Sequence, residues 1–542
     1  MPARVVPDNV PSAMYGFPLA PAGAALWQGA VARMRAGDLP GAVAEMGRML
    51  ELQPGFVPAM VQRALWLLSL DRYREARSLA CAAAAALPRS PPLALETVRL
   101  LRRFEEVERI ERVVHAVDWS GSDAGTHAAL AAELAPIALY KDATRALDQA
   151  EALLPADDVR LLGMRATLKM VEGEAGTARH LLERLAAASI SHAPRAQWLL
   201  SLQPADHEDA QRQIAAIERR LEAVPPGGEA EVHLAYALHN RLHGIGDYEA
   251  SWAALVRACR VKRALLQYDA SEQGEIFERL MALPRFTMAS TSAARQGPIP
   301  VFVVGMHRSG TTLLERMLAG HRDVIDGGES YAVSAAIRHA TDHYSVHTFD
   351  LAGARRLTDP GLDLGRVRRD VLEYMRWKAR GHACVTEKLP SNFLHLGVLL
   401  AALPEARVLH MRRNAMDTCF SNLRTLFSIA APYSYDQHEL AEYYLGYRRL
   451  MDHWSALWPG RILDVKYECL VEDPDGQGER ILEFCGLSRD GPMLGTDRKG
   501  GAVATASLAD VRAGIQRNRG GVWRHYQRHL SPLSARLESD AR

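Results

Sequence analysis

The sequence predicts an all-α domain of helical-hairpin repeats, followed by a three-layer α/β domain with a mostly parallel sheet. From about residue 25 to residue 265 the chain is rich in Ala and Leu, with amphipathic stretches separated by short polar turns. After residue 300, short β-branched runs alternate with helical patterns, which is typical of a parallel sheet covered by helices. We therefore expect an N-terminal segment at 1–24, repeats at 25–283, a Ser-, Thr-, Gly- and Pro-rich linker at 284–299 and a second domain at 300–542.

The helical half has a period of about 34 residues. Pro54 and Pro88, which end helical stretches, are 34 residues apart, and Pro155 follows 67 residues later. Alanines lie twelve positions before these prolines: Ala42, Ala76 and Ala143. A small residue is expected there, because the second helix of each hairpin approaches the first closely. The pattern resembles the tetratricopeptide repeat, whose stacked hairpins form a concave surface for a partner or peptide. An Ala-rich helical bundle without repeats is the alternative.

The composition restricts the class of protein. The 542 residues are 48% hydrophobic and 24% charged, and 65 Lys and Arg balance 64 Asp and Glu, so no global field favours nucleic acid or an anionic membrane. Six cysteines without a C-x-x-C pair argue against zinc and disulfide frameworks. We find no secretion signal pattern and no apolar run of about 18 residues, so we expect a cytoplasmic protein without a membrane span.

The second half begins with a strand, a tight loop and a helix, at residues 301–320. Gly305 and Gly310 have the spacing of a Walker loop, but Thr311 stands where that loop has its Lys. Cationic side chains, His307 and Arg308, lie within the loop instead. A helix N-terminus with hydroxyl groups and an Arg is suited to a phosphate or sulfate group. This strand is predicted at 300–304, and three further strands are predicted at 383–386, 408–411 and 462–465.

The segment GMHRSGTT resembles the 5′-phosphosulfate-binding loop of sulfotransferases, which use 3′-phosphoadenosine 5′-phosphosulfate as donor. The resemblance implies a P-loop-like sulfotransferase fold and a set of donor-binding residues: His307, Arg308, Ser309, Gly310, Thr311 and Thr312. In that family an Arg after a later strand, and a Ser eight residues further on, bind the 3′-phosphate. Arg413 and Ser421 have this spacing here.

Sulfuryl transfer needs a base for the acceptor and a cation near the departing oxygen. Glu329, in DGGES, is similar to the catalytic Glu of tyrosylprotein sulfotransferases. Lys388 follows a predicted strand and should project at the carboxyl edge of the sheet. We therefore expect Glu329, Lys388 and Arg308 to be catalytic, with no metal required.

The order of parts resembles bacterial sulfotransferases that are fused to tetratricopeptide repeats. By that similarity Tyr467, Ser507 and Arg512 join the donor site. The chain departs from the family at Gly521-Val522-Trp523, where Gly-Arg-Trp is common, and at Ala415-Met416 after the second motif.

Several alternatives stay open. His339, His343 and His347 recur every four residues, a spacing compatible with a metal site, but a solvated or substrate-lining face is favoured because no carboxylate or Cys partner has ligand spacing. A P-loop kinase or hydrolase would need the missing loop Lys. An inactive repeat scaffold is the other rival. The favoured acceptor is a peptide or protein tyrosine, with a glycan, lipid or small metabolite as alternatives. The oligomeric state is not predicted.

Overall fold

The computed structural model describes residues 19–88, 90–155, 158–188, 190–287, 297–427, 429–489 and 520–539. Contacts divide the chain into two compact units. The first comprises Met1–Asp158 with Ala335–Val346, and the second comprises Val159–Ser334 with His347–Arg542. The predicted linker at 284–299 lies partly outside the described residues and stays a prediction.

The first unit consists of helical hairpins, as the period predicted. Its helices pair in sequence order, α1 with α2, α3 with α4, α5 with α6 and α7 with α8. Their bounds are α1 Pro21–Arg35, α2 Leu39–Leu52, α3 Val57–Ser69, α4 Tyr73–Ala85, α5 Pro91–Arg102, α6 Val107–Ala116, α7 Ala124–Leu134 and α8 Tyr140–Ala152, with a 3₁₀ turn at Ala135–Ile137.

The predicted small residues lie where the period placed them. Ala42, Ala76 and Ala143 lie in the second helix of their hairpins and are fully buried. Ile110 occupies the corresponding position of the hairpin between the second and third prolines, and it is also fully buried. The repeat therefore reflects a close contact between the two helices of each hairpin. In α6 a larger residue, Ile110, replaces the small residue at this contact.

Residues 335–346 pack on the first hairpins and explain part of the histidine row. Asp71 accepts hydrogen bonds from the Tyr344 amide (2.8 Å) and pairs with His343 Nδ1 (2.9 Å). His339 Nδ1 contacts an Arg77 nitrogen at 2.8 Å. His339 and His343 are thus contacts within the first unit, and the favoured interpretation of a solvated or substrate-lining face was wrong for these two residues.

The second unit begins with further helices and continues into a parallel sheet. Its first helices include the hairpins of α9 with α10 and of α13 with α14. Their bounds are α9 Leu162–Glu172, α10 Ala175–Ala188, α11 Ala193–Ser201, α12 His207–Ala223, α13 Glu229–Gly244, α14 Tyr248–Ala264 and α15 Ala270–Met281.

Among the described residues, five strands form one sheet in which every neighbouring pair is parallel, in the order β2-β3-β1-β4-β5. The strands are β1 Ile299–Gly305, β2 Val324–Ile325, β3 Cys384–Glu387, β4 Arg407–Arg412 and β5 Ile462–Lys466. The four predicted strands are confirmed. The very short β2 was not predicted, because two residues carry no pattern.

Helices alternate with the strands along the chain, as predicted for the α/β fold. Their bounds are α16 Thr311–Ala319, α17 Ala332–Thr341, α18 Leu351–Arg356, α19 Leu364–Ala379, α20 Leu396–Ala402, α21 Ala415–Leu423, α22 Gln437–Leu457, α23 Tyr467–Glu472, α24 Pro474–Cys485 and α25 Ser531–Ser539, with 3₁₀ segments Pro390–His395, Pro432–Tyr435 and Val522–His529. Strand β1 is buried along its whole length and is the central strand of the sheet. Its carboxyl end therefore lies at the middle of the carboxyl edge of the sheet. Within the described part of the chain, no helix has the length and apolar character needed to cross a bilayer.

Candidate functional site

The predicted anion loop connects β1 to α16 at the carboxyl edge of the sheet. Gly310 precedes the helix with φ of 106°, and a Cβ there would meet Tyr467 Cδ2 at 2.5 Å. A Cβ at Gly305 would meet the Met411 carbonyl oxygen at 2.6 Å. Both positions therefore exclude larger residues, and the loop closes tightly around the N-terminus of α16.

The donor groups predicted at this helix start are concentrated and buried. Thr311 and Thr312 form the first turn of α16 and are 4% and 8% exposed. Ser309 is 1% exposed, and its hydroxyl has no hydrogen-bond partner among the described residues. A buried unpartnered hydroxyl beside free helix amides is unfavourable unless a ligand supplies the acceptor. This arrangement fits the phosphosulfate end of the predicted donor.

Arg308 joins the two predicted motifs. Its backbone is left-handed, with φ of 67°, which is uncommon outside glycine. Arg308 Nε donates to Ser421 Oγ at 3.1 Å, and the Arg308 carbonyl accepts from Arg413 at 3.3 Å. The strained backbone of one residue thus brings the loop into contact with both members of the second motif.

The second motif lies where its sequence pattern placed it. Arg413 follows β4, and its guanidinium lies 4.7 Å from the centre of the Tyr467 ring, which follows β5. Ser421 lies on α21, and the neighbouring Asn422 donates to the His307 carbonyl at 2.7 Å. The structure therefore brings Arg413, Ser421 and Tyr467 to the same loop.

His307 differs from the sequence expectation in its charge. Burial, aided by the charges of Lys388 and Arg308, lowers the pKa of His307 to about 4. Its Nδ1 contacts the Tyr433 hydroxyl at 3.0 Å, and its ring packs edge-on against Phe427. The imidazole is therefore neutral at pH 7, and Arg308 is the cation that the loop contributes.

Lys388 and Glu329, the predicted catalytic pair, are in direct contact. Lys388 Nζ donates to Glu329 Oε1. Lys388 is 1% exposed, whereas the Glu329 side chain is 38% exposed, so the carboxylate faces outward from a buried ammonium. Burial opposes the charge of Lys388, but the adjacent carboxylate of Glu329 outweighs it and raises the pKa of Lys388.

Two buried carboxyls beside this pair were not found from the sequence. Glu315 lies on α16, 4.0 Å from Lys388 Nζ, and accepts from Thr386 Oγ1 and the Gly328 amide, both at 3.2 Å. Burial and the nearby Asp326 raise its pKa well above the usual range. The signal available in the sequence was a Glu on the apolar face of a helix that packs on a sheet.

Glu387 is the second of these carboxyls and closes β3 next to Lys388. It accepts from Ser330 Oγ (3.0 Å) and Asn392 Nδ2 (2.6 Å), and it is 1% exposed. Burial raises its pKa to about 8, so it is mostly protonated at neutral pH. Ser507 and Arg512, which the resemblance assigned to the site, lie outside the described residues.

Comparison with known protein families gives a match in the C-terminal part of the chain. Residues 300–491 match the model of the sulfotransferase family. The C-terminal region is a sulfotransferase-family domain. This sulfotransferase region contains the loop, Glu329, Lys388 and both members of the second motif.

Individual relatives are distant. An uncharacterized protein of Aquifex aeolicus (strain VF5) is 27% identical over 336 residues, which cover 60% of this chain and 44% of the relative, so the chain spans less than half of that protein. A putative protein-tyrosine sulfotransferase of Caenorhabditis briggsae is 24% identical over 194 residues, covering 36% of this chain and 68% of the relative. The crystal structure of a sulfotransferase from Alicyclobacillus acidocaldarius is 20% identical, covers 46% of this chain and 96% of its own, and gives a TM-score of 0.28.

Proposed function

We propose that this sulfotransferase-family chain moves a sulfuryl group from 3′-phosphoadenosine 5′-phosphosulfate to an acceptor hydroxyl. The observation that carries the proposal is the position of Arg308. Its side chain contacts Ser421 and its carbonyl contacts Arg413, so the phosphosulfate loop and the 3′-phosphate motif form one continuous site.

The donor-binding roles follow from the groups available. The amides at the start of α16 and the hydroxyls of Ser309, Thr311 and Thr312 supply donors for the 5′-phosphosulfate, with Arg308 as the charged group. Arg413 and Ser421 supply the contacts to the 3′-phosphate. The Tyr467 ring packs against the Arg413 guanidinium, and we assign Tyr467 to positioning the Arg413 side chain for its contact with the 3′-phosphate. We retain Ser507 and Arg512 as donor-site residues on the resemblance alone.

The transfer is in line. Glu329 accepts the proton of the acceptor hydroxyl as the acceptor oxygen forms its bond to sulfur, and the bond from sulfur to the bridging phosphate oxygen breaks. The electron pair of that bond stays on the phosphate, which leaves as 3′-phosphoadenosine 5′-phosphate. Arg308, Lys388 and the loop amides stabilise the negative charge that develops on the sulfuryl oxygens and on this leaving phosphate. Lys388 suits this role because the adjacent Glu329 carboxylate keeps it charged although it is buried.

A peptide or protein hydroxyl, in particular tyrosine, is the acceptor we propose. The support is the similarity to a putative protein-tyrosine sulfotransferase of Caenorhabditis briggsae, together with the exposed position of the Glu329 carboxylate. The helical repeats supply a surface of the kind that holds peptides. The six free cysteines agree with the cytoplasmic location that we propose.

The acceptor is tested by incubating the protein and cell extract with ³⁵S-labelled donor. We expect label in the protein fraction, in an acid-labile form released as tyrosine sulfate after alkaline hydrolysis. A Glu329→Gln protein is the control for enzyme-dependent label. Label that enters only sugar, lipid or small-molecule fractions would contradict the protein acceptor and leave the donor assignment standing.

A further inference from the structure

A chain of hydrogen bonds runs from the donor loop, residues 306–310 between β1 and α16, into the far half of the sheet. It begins at Met306 and passes through Tyr447 of α22 and His410 of β4 to Asp464 of β5. Met306, Tyr447 and His410 are buried. The chain therefore connects the loop to a helix and two strands through side chains that the sequence did not assign to the site.

The Asp464 end of the chain fixes where one hydrogen of His410 lies. The two residues are register partners in β4 and β5, and His410 Nδ1 lies 2.8 Å from Asp464 Oδ1. Arg412 donates to the other carboxylate oxygen at 2.8 Å. Burial opposes the charge of Asp464, but the bonds from His410 and Arg412 outweigh it and lower the pKa of Asp464 to about 2. Asp464 is therefore a carboxylate that only accepts, so His410 Nδ1 carries a hydrogen.

The other end of the chain fixes the direction of the Tyr447 hydroxyl. The Met306 amide can only donate, so the Tyr447 oxygen accepts from it. Burial raises the pKa of Tyr447, which keeps the phenol protonated. Its one hydrogen is then free to point at His410 Nε2, which lies 2.5 Å from the hydroxyl oxygen. The hydrogen bonds from Met306 to His410 thus run in one direction, and the groups in the chain are paired.

Met306 is held through both of its backbone groups. Its amide donates to Tyr447, and its carbonyl accepts from the Ser309 amide at 3.2 Å, which closes the turn of the loop. His307 and Arg308 lie between these two bonds, and Arg308 has the left-handed backbone. Backbone strain of that kind persists only where surrounding contacts enforce it. The bond from Tyr447 is such a contact, because the start of the loop cannot shift without breaking it.

The Tyr447 ring is itself fixed by packing. It lies edge-on to Phe393, with 4.9 Å between ring centroids, and to His410, with 5.6 Å. Phe393 is held in turn, because Trp454 Nε1 donates to its carbonyl at 3.0 Å. A Phe ring in place of Tyr447 would keep this packing and lose only the hydroxyl group. The substitution Tyr447→Phe therefore isolates the bond to the loop.

We propose that Tyr447, His410 and Asp464 are positioning residues of the donor loop, which hold the Met306 amide so that the loop is formed before the donor arrives. The proposal rests on the proposed function, because it takes this loop as the site of the 5′-phosphosulfate. The three residues act through the loop backbone and not by contact with the donor. Preorganisation of this kind raises affinity, since binding does not have to order the loop.

The proposal is tested with two variants and a control, by isothermal titration calorimetry and by hydrogen exchange. Tyr447→Phe removes the hydroxyl, and Asp464→Asn can donate to His410 Nδ1 and so permits the opposite placement of the ring hydrogen. Tyr444→Phe is the matched control, since it removes one hydroxyl from a buried tyrosine of the same helix. The ligands are 3′-phosphoadenosine 5′-phosphate, adenosine 5′-phosphate and adenosine 3′-phosphate, the last two measured by displacement of the first. Thermal denaturation confirms that each variant is folded.

We expect Tyr447→Phe to weaken the bisphosphate and adenosine 5′-phosphate by a similar factor, about 5- to 100-fold, the range for leaving one buried donor unpartnered. Adenosine 3′-phosphate has no group for the loop and should bind all the proteins alike. Asp464→Asn should weaken the same two ligands, and the double variant should bind no more weakly than Tyr447→Phe, because both changes break one chain.

Hydrogen exchange reports on the loop without any ligand. In the free protein, peptides that contain residues 306–310 should exchange faster in Tyr447→Phe and in Asp464→Asn than in Tyr444→Phe, because the Met306 amide loses its partner or its fixed geometry. Mass spectrometry of the digested protein is the measurement. If Tyr447→Phe does not fold, Asp464→Asn is judged by the same ligands and the same peptides.

The proposal is overturned if the variants match Tyr444→Phe in nucleotide affinity and loop exchange, or if all three ligands weaken to the same extent, as a general loss of structure would cause. Fully additive losses in the double variant would also contradict it, since the residues would then act separately. The proposed function fails separately. Wild type would then bind none of the nucleotides, while faster loop exchange in the variants would still show that the chain holds the loop.

Discussion

At the scale of single residues, the site depends on a few side chains and on the strained backbone conformation of one residue. Arg308 holds a left-handed backbone while contacting both phosphate motifs, and Lys388 keeps its charge in a buried position beside Glu329. Such perturbed groups cluster at functional sites, because packing elsewhere must maintain them. The predictions at this scale therefore concern individual substitutions.

Glu329→Gln should abolish turnover and leave donor binding intact. The amide cannot accept the proton of the acceptor hydroxyl, and loss of a general base typically lowers kcat by about 10²- to 10⁴-fold. Steady-state kinetics and calorimetry with 3′-phosphoadenosine 5′-phosphate test this. Glu373→Gln, at an exposed position of α19, is the control. Loss of both turnover and donor binding would show that Glu329 is not primarily the base.

Gly310→Ala should weaken donor binding strongly. Its φ of 106° disfavours any side chain, and the new Cβ would lie 2.5 Å from the Tyr467 ring. A positive φ alone costs about 1–2 kcal/mol in a non-glycine residue. Gly486→Ala, with φ of 69° and no atom of the described residues within 4 Å of the added Cβ, is the control for the cost of the positive φ alone. Equal donor affinity in the two variants, measured by calorimetry, would mean that the contact with Tyr467 does not shape the loop.

Glu387→Gln should change how stability depends on pH. The folded-state pKa of Glu387 is about 8, against about 4.3 for an unperturbed Glu, so the folded protein holds this proton more tightly. Stability from this group is complete below about pH 4 and declines as pH rises towards 8. Urea denaturation at pH 5, 7 and 9 should show Glu387→Gln gaining on wild type as pH rises. A difference that stays constant with pH would contradict the buried protonated state.

The residue scale also shows what a sequence can and cannot reveal. The resemblance to sulfotransferases implied that Arg413 and Ser421 share a site, and such a pair can be identified from sequence because a strand end and the next helix are local in sequence. Glu315 and Lys388 are 73 residues apart in the sequence and meet only because β3 lies beside β1, and no local pattern encodes that pairing. The neutral state of His307 likewise depends on its burial in the folded protein and on the charge of Lys388, which is distant in sequence.

At the scale of elements, close helix contact defines the hairpins of the first unit. Ala76 is fully buried in α4, with its partner helix α3 in contact. The alanine period could be predicted from sequence because every hairpin repeats the same contact. The hairpin of α5 and α6 shows the limit, since Ile110 fills the position and removes the small-residue signal.

Ala76→Leu should destabilise the first unit. Added methylenes in a packed position usually cost about 1–3 kcal/mol, because side chains and backbone must shift. Ala82→Leu, at an exposed position of the same helix, is the control and should change the melting temperature little. Calorimetric melting is the measurement. Equal melting temperatures would show that α4 can move away from its partner without loss.

At the scale of the whole molecule, the second unit combines helices and sheet in one compact part of the chain. Tyr526, in the 3₁₀ segment Val522–His529, contacts His243 Nδ1 (2.8 Å) and Ser251 Oγ (3.0 Å) in the hairpin of α13 and α14. The Tyr236 hydroxyl of α13 donates to the carbonyl of Leu423 at the end of α21 (3.1 Å). The helix that carries Ser421 is therefore supported by a helical hairpin that precedes the sheet in sequence. Sequence patterns identified these elements but not their packing.

We propose that residues 301–320 hold a phosphosulfate nucleotide without the Lys and Mg²⁺ of a nucleotide kinase. Calorimetry with 3′-phosphoadenosine 5′-phosphate in excess EDTA, compared with ATP and Mg²⁺, distinguishes the two kinds of site. We expect micromolar or tighter binding of the bisphosphate, unaffected by EDTA, and no comparable binding of ATP. Tight Mg²⁺-dependent binding of ATP without binding of the bisphosphate would contradict it.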